Sequence, residues 1–330
     1  FGRMGSKVLK GACVFVAEAS NDQKGKYRWI ASLYIPKLPI QVELMRRPNL
    51  AGLPIVIASE GDFGGGGHVA YTCQEGEAAG LRGGMPLREV FALCRHAVVL
   101  PPDFDAYEKA CDLILNALEK AAPAVEAASL GRAFIDITGM ERLYPRMQTL
   151  LEALLAAVSR ASSGLVGRVG AAPNKFVSDV AAQTAADGAC VIVPARRAAD
   201  FLAPLSWESL PISEEMKQRL YLLGLKTMGE IGTISPIALE AQFGSEGRRA
   251  WKLARGLDHE PVVARKPFRP IAESLSFPSP INDWAAFWAG VRELLTRLWR
   301  RKERREATVR QLQLVARMEE QMWERTLTLH

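Results

Sequence analysis

The chain has 330 residues, of which 48% are hydrophobic and 24% charged, which is enough apolar material for two or three globular domains and excludes a disordered or fibrous protein. The formal net charge of +6 permits contact with a polyanion, as in many unrelated proteins. The cysteines form no C-x-x-C pair, no apolar run reaches the roughly 20 residues that span a bilayer, and the N-terminus does not resemble a secretion signal. These features predict a cytoplasmic protein with no membrane segment and no zinc site.

Strands and helices alternate along the first 190 residues. Apolar runs predict a possible strand at Ala12–Val16 and further strands at Trp29–Tyr34, Leu53–Ala58, Ala133–Thr138 and around Leu165–Ala171, and helical spacing predicts helices at Tyr107–Ala121, Met147–Ala161 and Lys175–Ala186. The Gly64–Gly67 loop lacks the Gly-Lys-Ser/Thr ending of a phosphate-binding loop and predicts a hairpin turn. This order predicts an α+β fold, with a mixed sheet and helices on one of its faces.

The pattern of predicted elements changes after Pro194 and Pro204. Residues 195–262 predict short helices separated by tight turns. The phrase from Leu222 to Ile231 is typical of a helix-hairpin-helix, in which glycine lets backbone amides approach a phosphate. We therefore predict Gly224 and Lys226 as DNA-binding residues. A proline-containing connector, a helix at Trp284–Arg301 and a strand of alternating character at Thr308–Arg317 follow.

A basic stretch joins this helix to this strand. Seven cations against Glu303 and Glu306 give it a net charge of +5. The cations are Arg297, Arg300, Arg301, Lys302, Arg304, Arg305 and Arg310. A solvated helix end whose cations complement its dipole is one interpretation, and contact with DNA phosphates is the one that we favour. Within the stretch, Trp299 has core packing or base stacking as its alternatives.

Several sequence motifs together resemble those of the Y-family (translesion) DNA polymerases. They are Arg82-Gly83-Gly84-Met85-Pro86-Leu87-Arg88-Glu89, Pro123-Ala124-Val125-Glu126 followed by Phe134-Ile135-Asp136-Ile137-Thr138, Asn174-Lys175, and Ala254-Arg255-Gly256-Leu257-Asp258. The resemblance implies a ferredoxin-like palm at 28–37 and 98–190 with fingers inserted at 38–97. A helix-hairpin-helix thumb at 191–263 and a linker with a truncated little finger at 264–330 would follow, and residues 1–27 form an N-terminal extension of open role.

In that family two magnesium ions are held by an aspartate of the first strand and by an adjacent aspartate and glutamate in a later strand turn. These positions fall on Tyr34, Gly131 and Arg132 here. The family's triphosphate-binding tyrosine, arginine and lysine fall on Gln74, Glu77 and Ala186. We therefore predict no metal, no cofactor, no nucleotide-binding residues and no enzymatic activity. Asp136, Glu126 and Glu141 are the acids that could replace the missing ligands.

Loss of the carboxylates with retained architecture resembles the ImuB-type subunits of bacterial mutasomes. That resemblance implies a scaffold that binds primer-template DNA in damage-induced translesion synthesis (SOS mutagenesis), with a sliding clamp, a RecA-like protein and a separate error-prone polymerase as partners. One alternative is an active translesion polymerase with relocated ligands, which would use Mg²⁺, and another is a generic helix-hairpin-helix DNA binder. The chain starts at Phe1 and stops at His330 inside an alternating run, so we expect a fragment. Gln311–Leu314 faintly resembles a clamp peptide, but an ordinary strand explains it better.

Overall fold

The computed structural model describes residues 14–15, 28–59, 67–140, 143–144, 146–265, 273–277, 283–301, 311–317 and 322–328. The chain divides into two compact units, Phe1–Arg265 and Lys266–His330. The first unit contains the large sheet, whose strands carry Tyr34 and Arg132.

The large sheet has six strands in the order β1-β9-β8-β2-β7-β6. Their bounds are β1 (Val14–Phe15), β2 (Ile30–Tyr34), β6 (Ala124–Ser129), β7 (Arg132–Asp136), β8 (Arg168–Ala172) and β9 (Cys190–Ile192). The central strand β2 is antiparallel to both β7 and β8, whereas β8 pairs parallel with β9. The predicted strands at β2, β7 and β8 are confirmed within a few residues at their ends, and β6 and β9 had not been predicted.

Helices cover both faces of this sheet, so the predicted one-sided arrangement is wrong. The helices α4 (Phe104–Ala121) and α5 (Met147–Ala161) pack with Leu33, Val169 and Ile135 in one hydrophobic core. Helix α6 (Lys175–Thr184) lies on the opposite face, where Gly170 is so close that an added Cβ would meet Ser178 O at 2.1 Å. Both faces of the central strands carry small or apolar residues, and that lets both be buried.

A second, three-stranded sheet lies in the segment between β2 and α4. Its strands β3 (Ile55–Ser59), β4 (His68–Thr72) and β5 (Val98–Leu100) are arranged β4-β3-β5, and they accompany the helices α1 (Leu38–Arg46), α2 (Gln74–Ala78) and α3 (Leu87–Leu93). Strands β3 and β4 pair antiparallel. The predicted Gly64–Gly67 turn between them lies outside the described residues except for its last glycine.

Short helices follow, as predicted for residues 195–262. They are α7 (Ala198–Leu202), α8 (Glu214–Leu222), α9 (Met228–Thr233) and the longer α10 (Pro236–Ala254). Their core contains Leu202, Leu220 and Ile231 together with Val177 and Val180 of α6. Helix α6 thus packs against the sheet and also supplies part of the hydrophobic core of the helical segment.

The second unit contains the helix α11 (Trp284–Arg300) and an antiparallel hairpin of β10 (Gln311–Arg317) and β11 (Met322–Thr328). Gln311–Leu314 is paired along β10, which confirms its interpretation as a strand. None of the helices in the described ranges combines the length and the apolar character that crossing a membrane requires.

Candidate active site

The three positions that correspond to the metal ligands of the resembled family lie together in the structure. Tyr34 ends β2 and is the cross-strand partner of Arg132 at the start of β7. The Ile35 amide donates a hydrogen bond to the Gly131 carbonyl over 2.8 Å, which fixes the turn before β7 against the end of β2. The residues there are therefore a phenol, a glycine and a guanidinium.

Arg132 is held in place by two neighbours. Its guanidinium carbon lies 4.7 Å from the centroid of the Tyr34 ring, and its Nη1 donates to Asp179 Oδ2 over 3.1 Å. A cation above an aromatic ring is attracted by the electron-rich face of that ring. The Arg132 side chain remains 33% exposed. The Arg132 guanidinium is thus held in position beside its counter-ion Asp179 and is still partly open to solvent.

Asp179 on α6 is the residue that sequence reasoning missed. It accepts from Arg132, from Ser32 Oγ over 3.2 Å, and from Gln183 Nε2 over 2.7 Å. Its side chain is 17% exposed. The four-residue spacing of Asp179 and Gln183 was the only signal in the sequence. That spacing does not reveal that α6 crosses β2 at this point.

The backbone conformation at Gly131 and the atoms around it disfavour any residue with a side chain. Its φ of +74° lies in the left-handed region, which residues with a Cβ rarely adopt. An added Cβ would lie 2.9 Å from Ile35 O and 3.1 Å from Leu38 Cβ. An aspartate at residue 131 would therefore be strained and crowded, so the departure from the family pattern involves the main chain as well as the side chain.

The other acids considered as replacement ligands are engaged elsewhere. Asp136 pairs with Arg28 over 3.4 Å at the far end of β7, and four residues of strand put it about 13 Å from Arg132. Glu126 accepts from the buried Lys175 Nζ and, over 2.6 Å, from the Val263 amide. Glu141 lies outside the described residues. Asp136 and Glu126 share the face of Arg132 but each is paired with another cation.

The positions that correspond to the family's triphosphate-binding residues carry no free cation. Gln74 and Glu77 are exposed on α2, and Glu77 forms an ion pair with Lys37 over 2.7 Å. Ala186 is exposed in the turn after α6. Lys37 has a φ of +50° and lies between β2 and α1, so this ion pair connects the end of β2 to helix α2.

The residues at the metal-ligand positions do not fit magnesium. Magnesium needs hard oxygen ligands in near-octahedral geometry, and neither a glycine nor a guanidinium supplies one through its side chain. In the described part of the chain, no group of three His, Cys, Asp or Glu side chains is arranged so that it could hold a metal ion. Any metal that this chain uses must have ligands other than Tyr34, Gly131 and Arg132.

The predicted hairpin between α8 and α9 has the expected turn. Gly224 adopts a φ of +73°, and Trp207 Nε1 donates to the Leu225 carbonyl over 2.6 Å. Glu230 Oε2 accepts from the amides of Lys226 and Thr227, and these hydrogen bonds hold the pKa of Glu230 below its ordinary value. Both amides are therefore occupied, and the exposed Lys226 side chain is the group available to a phosphate.

The basic stretch is only partly described. Arg297 pairs with Glu293 over 2.8 Å, and Arg301 pairs with Glu273 over 2.6 Å. Arg300 and Trp299 are exposed at the end of α11. Lys302, Arg304, Arg305 and Arg310 lie outside the described residues. Two of the predicted phosphate contacts thus have acidic partners within the chain.

Known proteins that are similar to this chain show the family to which it belongs. Residues 33–183 match the model of the impB/mucB/samB family. A DNA polymerase IV from Methanoculleus marisnigri is 30% identical over 73% of this chain and 67% of its own length. A DNA polymerase IV from Neisseria meningitidis serogroup A is 28% identical over 83% of this chain and 76% of its own. The chain belongs to the Y family of DNA polymerases.

Solved structures support the same fold. The crystal structure of DinB from Sulfolobus solfataricus matches 92% of this chain and 88% of its own, with a TM-score of 0.64 and 21% identity. The insertion ternary complex of Dbh DNA polymerase matches 91% and 87%, with a TM-score of 0.66 and 22% identity. The predicted α+β architecture of a Y-family polymerase is thereby confirmed.

Two predictions are overturned by these relatives. The prediction that the chain is not an enzyme is wrong, because proteins similar to it over most of its length are named DNA polymerase IV. The prediction of no cofactor is contradicted too, because the Y-family polymerases related to it normally use Mg²⁺. The six degenerate positions, Tyr34, Gly131, Arg132, Gln74, Glu77 and Ala186, lie in a chain that is similar over most of its length to proteins named DNA polymerase IV.

Proposed function

We propose that the chain acts in lesion bypass as a Y-family DNA polymerase, which binds primer-template DNA and catalyses template-directed nucleotidyl transfer. The observation that carries this proposal is the extent of the similarity to DNA polymerase IV proteins, which reaches 83% of this chain. The catalytic metal would supply charge stabilisation of phosphoryl transfer. Since Tyr34, Gly131 and Arg132 do not fit it, relocated ligands form part of the proposal.

The chain's own residues would hold the DNA. Lys226 presents an exposed ammonium beside the α8–α9 hairpin, and Arg300 is exposed at the basic end of α11. Contacts from such side chains to the phosphate backbone position a duplex without reading its sequence. Binding of this kind suits an enzyme that must accept damaged templates of any sequence.

Primer extension tests the activity. Purified chain, labelled primer-template, the four deoxynucleotides and either Mg²⁺ or Mn²⁺ are expected to yield incorporation that follows the template base. The amide variants Asp179→Asn, Glu126→Gln and Asp136→Asn would then identify a relocated ligand, because a ligand's variant should lose incorporation while its melting temperature stays near that of the wild type. Absence of incorporation with both metals, in a chain that binds the DNA, would refute the proposed activity.

A second candidate role is recruitment, as in the ImuB-type subunits that the sequence resembles. The observation that favours it is that Tyr34, Gly131 and Arg132 stand in place of the family's carboxylates, with Arg132 paired to Asp179. In this role the chain would hold primer-template DNA and bring a sliding clamp, a RecA-like protein and a separate error-prone polymerase to a lesion. The partners, the cytoplasmic location and the link to SOS mutagenesis belong to this proposal.

A reconstituted bypass assay tests recruitment. Addition of the chain should increase extension past a template lesion by a separate error-prone polymerase on clamp-loaded DNA. The control is the same polymerase on undamaged template without the clamp, where no increase is expected. If the chain changes neither lesion bypass nor the amount of polymerase retained on the DNA, the recruiting role is refuted.

A further inference from the structure

Two arginines flank Tyr34 on the α6 face of the large sheet. Tyr34 is the register partner of Arg132 on β7 and of Arg168 on β8, so the three residues form a row across adjacent strands. Register partners in a sheet project to the same face. Arg168 donates through Nε to Asp187 over 2.8 Å and through Nη1 to the Gln183 carbonyl over 3.2 Å. Its side chain is 24% exposed.

Arg132 is the residue of this row that keeps hydrogen-bond donors without an acceptor among the described residues. A guanidinium has five N–H donors in a fixed planar fork. Among the described residues only Asp179 accepts from it, through Nη1, and the Tyr34 ring covers one face of the fork. The Nε and Nη2 groups have no hydrogen-bond acceptor among the described residues, and a third of the side chain is exposed. A pre-positioned guanidinium fork with open N–H groups matches the oxygens of a phosphate.

Asp179 is the counter-ion of the Arg132 guanidinium and fixes its position. Ser32 and Gln183 satisfy other lone pairs of its carboxylate, so its position does not depend on Arg132 alone. The carboxylate orients Arg132 but also offsets part of its charge. Removing the charge of Asp179 while keeping its shape should therefore leave a guanidinium that attracts anions more strongly.

We propose that Arg132 binds a phosphate group of the nucleic-acid substrate as a resident cation, at the place where related polymerases hold metal. The inference rests on the proposed function, since it requires that primer-template DNA or a nucleotide enters this face. The phosphate belongs either to the DNA backbone or to a free deoxynucleoside triphosphate. Because the cation is part of the chain, this contact needs no divalent ion.

The test measures binding by the full chain in EDTA. Fluorescence anisotropy of labelled primer-template is recorded at two salt concentrations, and a labelled deoxynucleoside triphosphate is titrated separately. Arg132→Gln should weaken binding about tenfold, as expected for loss of a charge-assisted hydrogen bond, and should reduce the slope of log affinity against log salt by about 0.9. Asp179→Asn should strengthen binding about twofold to fivefold by weakening the competing ion pair. The titration that responds to both variants identifies the source of the phosphate.

An ion pair outside the row is the control. Arg46 on α1 donates to Asp103 over 2.6 Å and to Glu43 over 3.4 Å, and its side chain is 45% exposed. Arg46→Gln and Asp103→Asn make the same charge changes outside the row, and neither should alter binding beyond a small general charge effect. Arg132→Lys keeps the charge without the fork and should retain part of the affinity, which gives a reading even if Arg132→Gln fails to fold.

The outcomes separate the two proposals. If the wild type binds DNA and the nucleotide but Arg132→Gln behaves like Arg46→Gln in both titrations, the inference is overturned while the proposed function stands. If Arg132→Gln and Asp179→Asn both weaken binding in step with a lower melting temperature, the ion pair is only structural and the inference is also overturned. If the wild type binds neither ligand, the proposed function fails, and this inference fails with it.

Discussion

Gly131→Ala is the substitution that most directly tests how the turn before β7 is built. At a φ of +74°, a residue with a Cβ costs about 1–2 kcal/mol relative to glycine. The new methyl group would also lie 2.9 Å from Ile35 O and 3.1 Å from Leu38 Cβ, and overpacking of this kind costs about 1–3 kcal/mol. The sum predicts a loss of about 2–5 kcal/mol in the free energy of unfolding.

Urea denaturation followed by circular dichroism would measure this loss, with Gly52→Ala as the control. Gly52 has a φ of +82° but nothing within 4 Å of an added Cβ, so it should lose only the conformational part, about 1–2 kcal/mol. The dependence on urea should be unchanged, because the same surface is exposed on unfolding. Equal losses for the two variants would refute the steric argument at residue 131 and reopen that position to a carboxylate.

Three further predictions concern hydrogen bonds and charges. Tyr107→Phe should destabilise the chain by about 1.5–3 kcal/mol in thermal unfolding, because the buried Glu43 loses the hydroxyl that donates to it over 3.2 Å. Tyr107→Leu would show whether the aromatic ring contributes more to the stability than the hydroxyl does. The pKa of Glu230 is lowered, so its ionised carboxylate should stabilise the folded hairpin fully above the unfolded pKa of about 4.3, and this stabilisation should be lost as the pH falls through the folded pKa. Hydrogen exchange of the Lys226 amide should show this loss. Glu230→Gln should remove the pH dependence. Lys226→Gln should weaken primer-template binding and reduce its salt slope by about 0.9, and an unchanged slope would remove Lys226 from the contact surface.

The sequence was sufficient for the elements whose pattern is local. The apolar runs at β2 and β7 and the periodic helices α4 and α5 were predicted close to their observed bounds. Strand β6 was missed because Ala124–Ser129 has little β-branched or aromatic content and gains its strand geometry from pairing with β7. Tertiary pairing therefore decided what propensity could not.

The candidate site was predictable in position but not in its contacts. Counting along the resembled motifs gave Tyr34, Gly131 and Arg132, which are neighbours in the structure. The Asp179 partner was invisible, because it depends on the face of the sheet that α6 covers. Six degenerate positions were also not enough to decide the activity, because they leave open whether other residues of the chain hold the metal and the nucleotide.

The charges on the α6 face explain why restoring a metal site would need more than new ligands. Arg132 is paired with Asp179, Lys175 with Glu126, and Arg28 with Asp136, so the described cations and acids on this face already offset one another. Exchanging Arg132 for glutamate would put two carboxylates within reach of each other, and like charges at that distance repel unless a cation lies between them. Exchanging Gly131 for aspartate adds the backbone strain already described. A metal ion held by the described residues of this face would therefore have to displace one of these ion pairs or bind through the DNA and nucleotide phosphates themselves.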